Sequence, residues 1–152
     1  GTFDVLETMG WERVGRHDNP QAGDVVRYES PADTPRANVV DVLIRPNAPD
    51  GVMGVGTFLH VAFRVANNWE QDTWSDTLRE NGYITTSRKD RDYFQSRYIT
   101  EPGGAVFEYA TTDVGFDVDE DVDELGENLR KPDWLDVDLE EIEAMLPDLE
   151  TN

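Results

Sequence analysis

No cysteine occurs in the 152-residue chain, so disulfides, thiolate zinc sites and cysteine nucleophiles are excluded together. Lysine is nearly missing too: Lys89 and Lys131 stand beside eleven arginines. Histidine occurs only at His17 and His60. No apolar run approaches the roughly 18 residues of a membrane span, and no charged-then-apolar leader is recognisable, so a soluble, cytoplasmic domain is expected. Basic charge is scarce, with 13 Lys+Arg against 33 Asp+Glu and a net charge of -20. Without a basic stripe to neutralise phosphates, neither nucleic acid nor an anionic membrane surface is an expected partner.

What remains suffices for one domain, since 38% hydrophobic residues with 10% aromatics can fill a single core. The acidity reads either as a surface for a cationic partner or as a solvated, salt-adapted surface. Acids are spread along the chain rather than gathered in one cleft, which favours the second reading. High Asp and Glu with little Lys resembles the composition of an extreme halophile, where salt screens the self-repulsion.

Organisation changes after Gly115-Phe116. From Asp117 onward acids outnumber bases fifteen to two, leaving a more balanced body over residues 1–116. Val122, Leu125 and Leu129 step at helical spacing, as do Leu139, Ile142, Met145 and Leu146, with Pro132 between the two sets. The expectation is an acidic helical tail over 117–152, packed on the body through Leu125, Leu129, Trp134, Leu135, Ile142 and Leu146, with the last few residues frayed.

The body reads as α+β. An apolar stripe of Phe3, Leu6 and Met9 predicts a helix stopped by Gly10. Strands are expected at about 11–16, 24–30 and 37–44, separated by turns such as His17-Asp18-Asn19-Pro20 and Ser30-Pro31-Ala32-Asp33. After a Pro/Gly-rich loop over 45–56 comes a strand at about 57–65. A helix over about 68–81 follows, with Trp69, Trp74 and Leu78 inward, closed by Gly82. Three further strands are expected at about 83–87, 93–100 and 104–111, the last two joined by Glu101-Pro102-Gly103-Gly104. The order is α-β-β-β followed by β-α-β-β-β, a topological repeat whose first unit lacks its opening strand. The chain therefore reads as starting inside a domain, with an unpaired strand edge that invites pairing.

Two residues carry the candidate chemistry. Strand alternation in Phe58-Leu59-His60-Val61-Ala62-Phe63-Arg64-Val65 sets His60 on a polar face, opposite Leu59, Val61, Phe63 and Val65. Glu108 places a carboxylate in the apolar strand Ala105-Val106-Phe107-Glu108-Tyr109-Ala110, costly unless it is paired or binds a metal. Imidazole plus carboxylate is a fair start to a non-haem iron or manganese site, although a purely structural pair is the plainer reading of these two residues alone. His17, in its polar turn, reads as solvent-exposed.

The surrounding words form an ordered series. Phe58 to Val65, Asp90-Arg91-Asp92-Tyr93-Phe94-Gln95-Ser96-Arg97-Tyr98, Glu101 to Gly104 and Phe107 to Phe116 are followed by Asp123 to Leu129, Pro132 to Leu135 and Glu141 to Pro147. This series resembles the C-terminal half of hydroquinone-type ring-cleaving (extradiol) dioxygenases of the vicinal oxygen chelate, or glyoxalase-like, superfamily. The resemblance implies βαβββ modules forming a curved mixed sheet. It implies that His60 and Glu108 are metal ligands, for Fe(II) or else Mn(II), and that Arg91 and Tyr98 face the oxygens of an aromatic substrate cleaved with O2. A guanidinium can hold a phenolate, and a phenol can pass a proton.

Two departures stand out against that family. Its members usually carry paired histidines where this chain has Leu59-His60, and their third metal ligand lies in an N-terminal half that this sequence lacks. A homodimer or pairing with that half is therefore expected, and the chain alone is expected to be inactive. Two alternatives stay open: a metal-free or vestigial glyoxalase-fold module that binds small molecules or dimerises, and a zinc or nickel lyase of the glyoxalase type.

Overall fold

In the computed structural model the chain opens with helix α1 (Thr2–Thr8), which buries Val5 and Leu6 and stops where Gly10 takes a φ of 82°. Residues 1–21, 23–32, 37–49, 51–52 and 54–147 are described. The turn residue Asp33 and the final residues expected to fray lie outside them. Strands β1 (Glu12–Asn19), β2 (Gly23–Glu29) and β3 (Val39–Leu43) follow α1 as an antiparallel sheet in the order β1-β2-β3. Val26 and Tyr28 alternate onto the inner face of β2, opposite Val42 and Val40. The Tyr28 hydroxyl donates to Glu7 at 3.1 Å, and burial together with that carboxylate raises the phenol above its ordinary pKa.

The second module is complete. Strand β4 (Val61–Val65) leads into helix α2 (Asn68–Glu80), then β5 (Lys89–Asp90), β6 (Gln95–Thr100) and β7 (Val106–Thr111). The sheet order is β4-β7-β6-β5, with β4 parallel to β7 and the remaining pairs antiparallel. Asn67 caps α2 by accepting from the Trp69 and Glu70 amides at 3.0 and 3.1 Å. One core joins both modules: Val5, Leu6, Val26, Tyr28, Phe63, Val65, Leu78, Ile99, Phe107 and Tyr109 belong to it. Phe63 meets Phe107 edge-on with centroids 5.0 Å apart.

The α-β-β-β then β-α-β-β-β order is as expected from the sequence, but four local expectations are corrected. The strand expected at 57–65 begins at Val61, because the ladder with β7 starts at the Val61–Phe107 pair. The strand expected at 83–87 reduces to a single Thr85–Ile99 bridge, and the edge position goes to the two-residue β5. Trp69 faces outward at 76% exposure, whereas Gln71, Ser75 and Leu78 are buried. That set follows the 3.6-residue repeat, while the five-residue step from Trp69 to Trp74 turns away from it. His17 is exposed as expected, but it lies within β1 opposite Val25 rather than in a turn.

Two compact units divide the chain, Gly1–Asp113 and Val114–Asn152. In the second, the helix expected around 122–129 is a 3-10 turn over Val122–Glu124, and the one expected around 139–146 is α3 (Leu139–Glu143). Gly126, with φ at 81°, halts the first. Runs of like charge, Asp121-Asp123-Glu124-Glu127 and Glu140-Glu141-Glu143, oppose extension of both. Leu125, Leu129, Trp134 and Leu146 are exposed, and Leu135 and Ile142 half-buried. Among the described residues no helix is long and apolar enough to cross a membrane.

Candidate active site

The open face of the four-stranded sheet carries the candidate site. Along β7, Phe107, Tyr109 and Thr111 point to the core, so Val106, Glu108 and Ala110 take the other face. Register places Glu108 opposite Tyr98 of β6 on one side and Ala62 of β4 on the other. His60, two residues before Ala62, therefore shares this face although it stands just ahead of the strand.

The four residues singled out from the sequence meet here. His60 Nε2 lies 2.6 Å from Glu108 Oε2, and the Glu108 side chain is only 4% exposed. The Tyr98 hydroxyl donates to Glu108 Oε1 at 2.9 Å, and Arg91 Nη2 donates to the Tyr98 oxygen at 3.4 Å. The Tyr98 ring stands edge-on to His60 at 5.9 Å and lies 6.0 Å below the Arg91 guanidinium. The Tyr98 oxygen, then the Glu108 charge, raises the Arg91 pKa further, so this group stays a cation. A cavity of about 400 Å³ is lined by Leu59, His60, Arg91, Phe94, Tyr98, Val106 and Glu108. A smaller one, about 230 Å³ between α1 and α2, has no titratable side chain in its lining.

One partner in this site was not foreseen from sequence. Ser96, fully buried on β6, donates its hydroxyl to the same Glu108 oxygen that Tyr98 engages. Its signal was present in the two-residue step Ser96 to Tyr98, which puts both hydroxyls on one strand face.

An imidazole nitrogen and a carboxylate oxygen of the kind that Fe(II) or Mn(II) takes thus converge in one cavity. The His60 Nδ1 atom is buried without a hydrogen-bond partner. No group of three His, Cys, Asp or Glu able to hold a metal occurs among the described residues. The donor set therefore fits part of a metal site: two ligands, not three.

No family model matches the chain. It is 38% identical over 145 residues to MhqE of Bacillus subtilis, whose name assigns it to the ring-cleaving dioxygenases; the match covers 95% of this chain and 45% of that protein. It is 37% identical over 97 residues to a chlorohydroquinone/hydroquinone 1,2-dioxygenase of Sphingobium indicum, covering 62% of this chain and 30% of that one. A crystal structure from Bacillus subtilis, of a protein described as a dioxygenase, superposes with a TM-score of 0.75 at 39% identity, covering 86% of this chain and 40% of that one. More distant glyoxalase-family structures share the fold alone. The chain spans less than half the length of the curated relatives it matches. Over the stretch it shares with them, the chain is similar to ring-cleaving dioxygenases and carries a glyoxalase-type fold.

Proposed function

We propose that this chain supplies two metal ligands and one wall of the substrate pocket of an extradiol dioxygenase that cleaves hydroquinone- or catechol-like rings with O2. The observation that carries the reading is the 2.6 Å approach of His60 Nε2 to Glu108 Oε2 inside a cavity that also holds Tyr98 and Arg91. His60 and Glu108 would hold Fe(II), or Mn(II) in its place. When bound, that metal supplies a template and Lewis acid for substrate and dioxygen. Arg91 is set to hold a phenolate oxygen by charge and hydrogen bonding. Tyr98, donating to Glu108 and accepting from Arg91, can steady or pass a proton between the substrate oxygen and the carboxylate. Leu59, Phe94 and Val106 give the ring an apolar seat.

A third ligand comes from outside the described residues, through a preceding half or a second copy. The acid-rich, lysine-poor surface supports a cytoplasm of high salt as the working medium.

The test is Fe(II) loading under anaerobic conditions followed by oxygen, with hydroquinone and catechol as substrates. Expected are weak iron binding by the isolated chain, lost in His60→Ala and Glu108→Ala, and no ring cleavage by the chain alone. Turnover is expected once a polypeptide carrying the preceding half is added. Robust cleavage by the chain alone would place the third ligand within it. Absence of iron binding with and without the added half would sink the metal reading. A metal-free small-molecule-binding module would then be favoured, consistent with the two-ligand donor set.

A further inference from the structure

The hydroxyls of Ser96 and Tyr98 both donate to Glu108 Oε1, while Oε2 alone faces the His60 imidazole. A carboxylate offers about four lone-pair positions, two on each oxygen. Two donors occupy those of Oε1, so only Oε2 keeps free acceptor capacity toward the cavity. The two donors differ in kind. Tyr98 is half-buried, lines the cavity and shares its oxygen with Arg91. Ser96 is fully buried, lines neither of the two cavities described above and donates its hydroxyl to no other described partner.

The geometry points to Ser96 as a positioning residue that turns the Glu108 carboxylate so that it binds metal through Oε2 only, as a one-oxygen ligand. This inference rests on Glu108 being a ligand, and it adds the residue that sets how it ligates. The physical basis is orientation. A buried hydroxyl bonded to a carboxylate fixes its rotation about the last side-chain bond, so the ligating oxygen need not be ordered at the moment of binding. Without Ser96, Tyr98 alone anchors Oε1, and Tyr98 is also drawn toward Arg91.

Mn(II) serves as probe, with Ser96→Ala compared against Ile99→Val in the same chain. Ile99 is buried on the opposite face of β6, so its trimming loosens the strand without touching Glu108. Mn(II) titration followed by electron paramagnetic resonance is expected to show affinity falling on the order of tenfold in Ser96→Ala. Ile99→Val should bind as the unaltered chain does. Without metal, His60 ring nitrogen resonances should shift in Ser96→Ala and stay in place in Ile99→Val. Equal Mn(II) affinity in Ser96→Ala and the unaltered chain, or an equal loss in both variants, overturns the positioning role. If the unaltered chain binds no Mn(II) either alone or with a polypeptide carrying the preceding half, Glu108 as ligand falls. The His60 resonances then decide separately whether Ser96 orients the carboxylate, and unchanged resonances remove that part too.

Discussion

Glu101 is 3% exposed and has no cationic partner among the described residues, an arrangement that is costly unless both its oxygens accept hydrogen bonds. They do: the Gly103 and Ala105 amides donate at 2.8 and 2.7 Å, and the Thr2 hydroxyl reaches it from α1. A Cβ at Gly103 would lie 2.8 Å from both Glu101 Oε1 and Thr2 Oγ1, so any larger residue there would displace these side chains. Glu101→Ala is expected to destabilise the fold by about 1–3 kcal/mol, the cost of leaving buried donors unpaired, read from urea denaturation. A midpoint unchanged from the parent chain would show that water replaces the carboxylate. The turn Glu101-Pro102-Gly103-Gly104 was legible in the sequence, since those residues select a tight connection. The burial of Glu101 was not, because its third donor arrives from 99 positions away. The same contrast holds in the candidate site. Glu108 stood out as a carboxylate in an apolar strand, while Ser96 looked like any strand serine until its register with β7 was known.

Helix α2 shows what periodicity can and cannot convey. Its stop was legible from Gly82, which adopts a positive φ, here 86°; its start fell where expected, and the structure adds Asn67 as the residue that accepts the end amides. Its buried face was legible only in part: Leu78 is buried and Trp74 packs against the core as expected, but two of the three buried side chains are polar. Gln71 donates to the Gln95 and Tyr109 carbonyls at 2.8 and 2.9 Å and accepts from Arg88, and Ser75 pairs with Thr85 at 2.9 Å. Each is satisfied only by partners on β6, β7 and the 85–88 segment, which a single helical stripe cannot reveal. Arg97 and Arg88 add ion pairs to Asp72 at 2.6 and 2.7 Å, tying the helix to the strand that carries Ser96 and Tyr98. Because the cap acts on α2 alone, Asn67→Ala is expected to cost about 0.5–2 kcal/mol in thermal or chemical denaturation. An unchanged stability would mean that packing, not the cap, defines where this helix begins.

At the scale of the whole molecule, the module order was legible because Gly, Pro and helical spacing mark each element. The division of the strands into two sheets was not, since it depends on pairings between distant segments. Charge was legible throughout. Six of the described arginines pair with acids: Arg16 with Asp24, Arg27 with Asp41, Arg79 with Asp76, Arg88 and Arg97 with Asp72, and Arg130 with Glu120. With 33 acids against 13 bases, a large excess of carboxylates repels one another across the surface. Added salt acts on both sets, weakening the attractive pairs and screening the repulsion. Exposed pairs contribute little, about 0–1 kcal/mol each, and the two Asp72 pairs are partly shielded. Repulsion acts over a screening length that shrinks from about 10 Å at 0.1 M to about 3 Å at 1 M, so the excess charge dominates the balance. Thermal stability is therefore expected to rise as KCl is taken from about 0.1 M to 1 M and beyond, with the largest gain over the first part of that range. A melting temperature that stays flat or falls with KCl would show that the ion pairs outweigh the self-repulsion. The acidic surface would then be read as a site for a cationic partner, and salt would weaken that partner's binding instead.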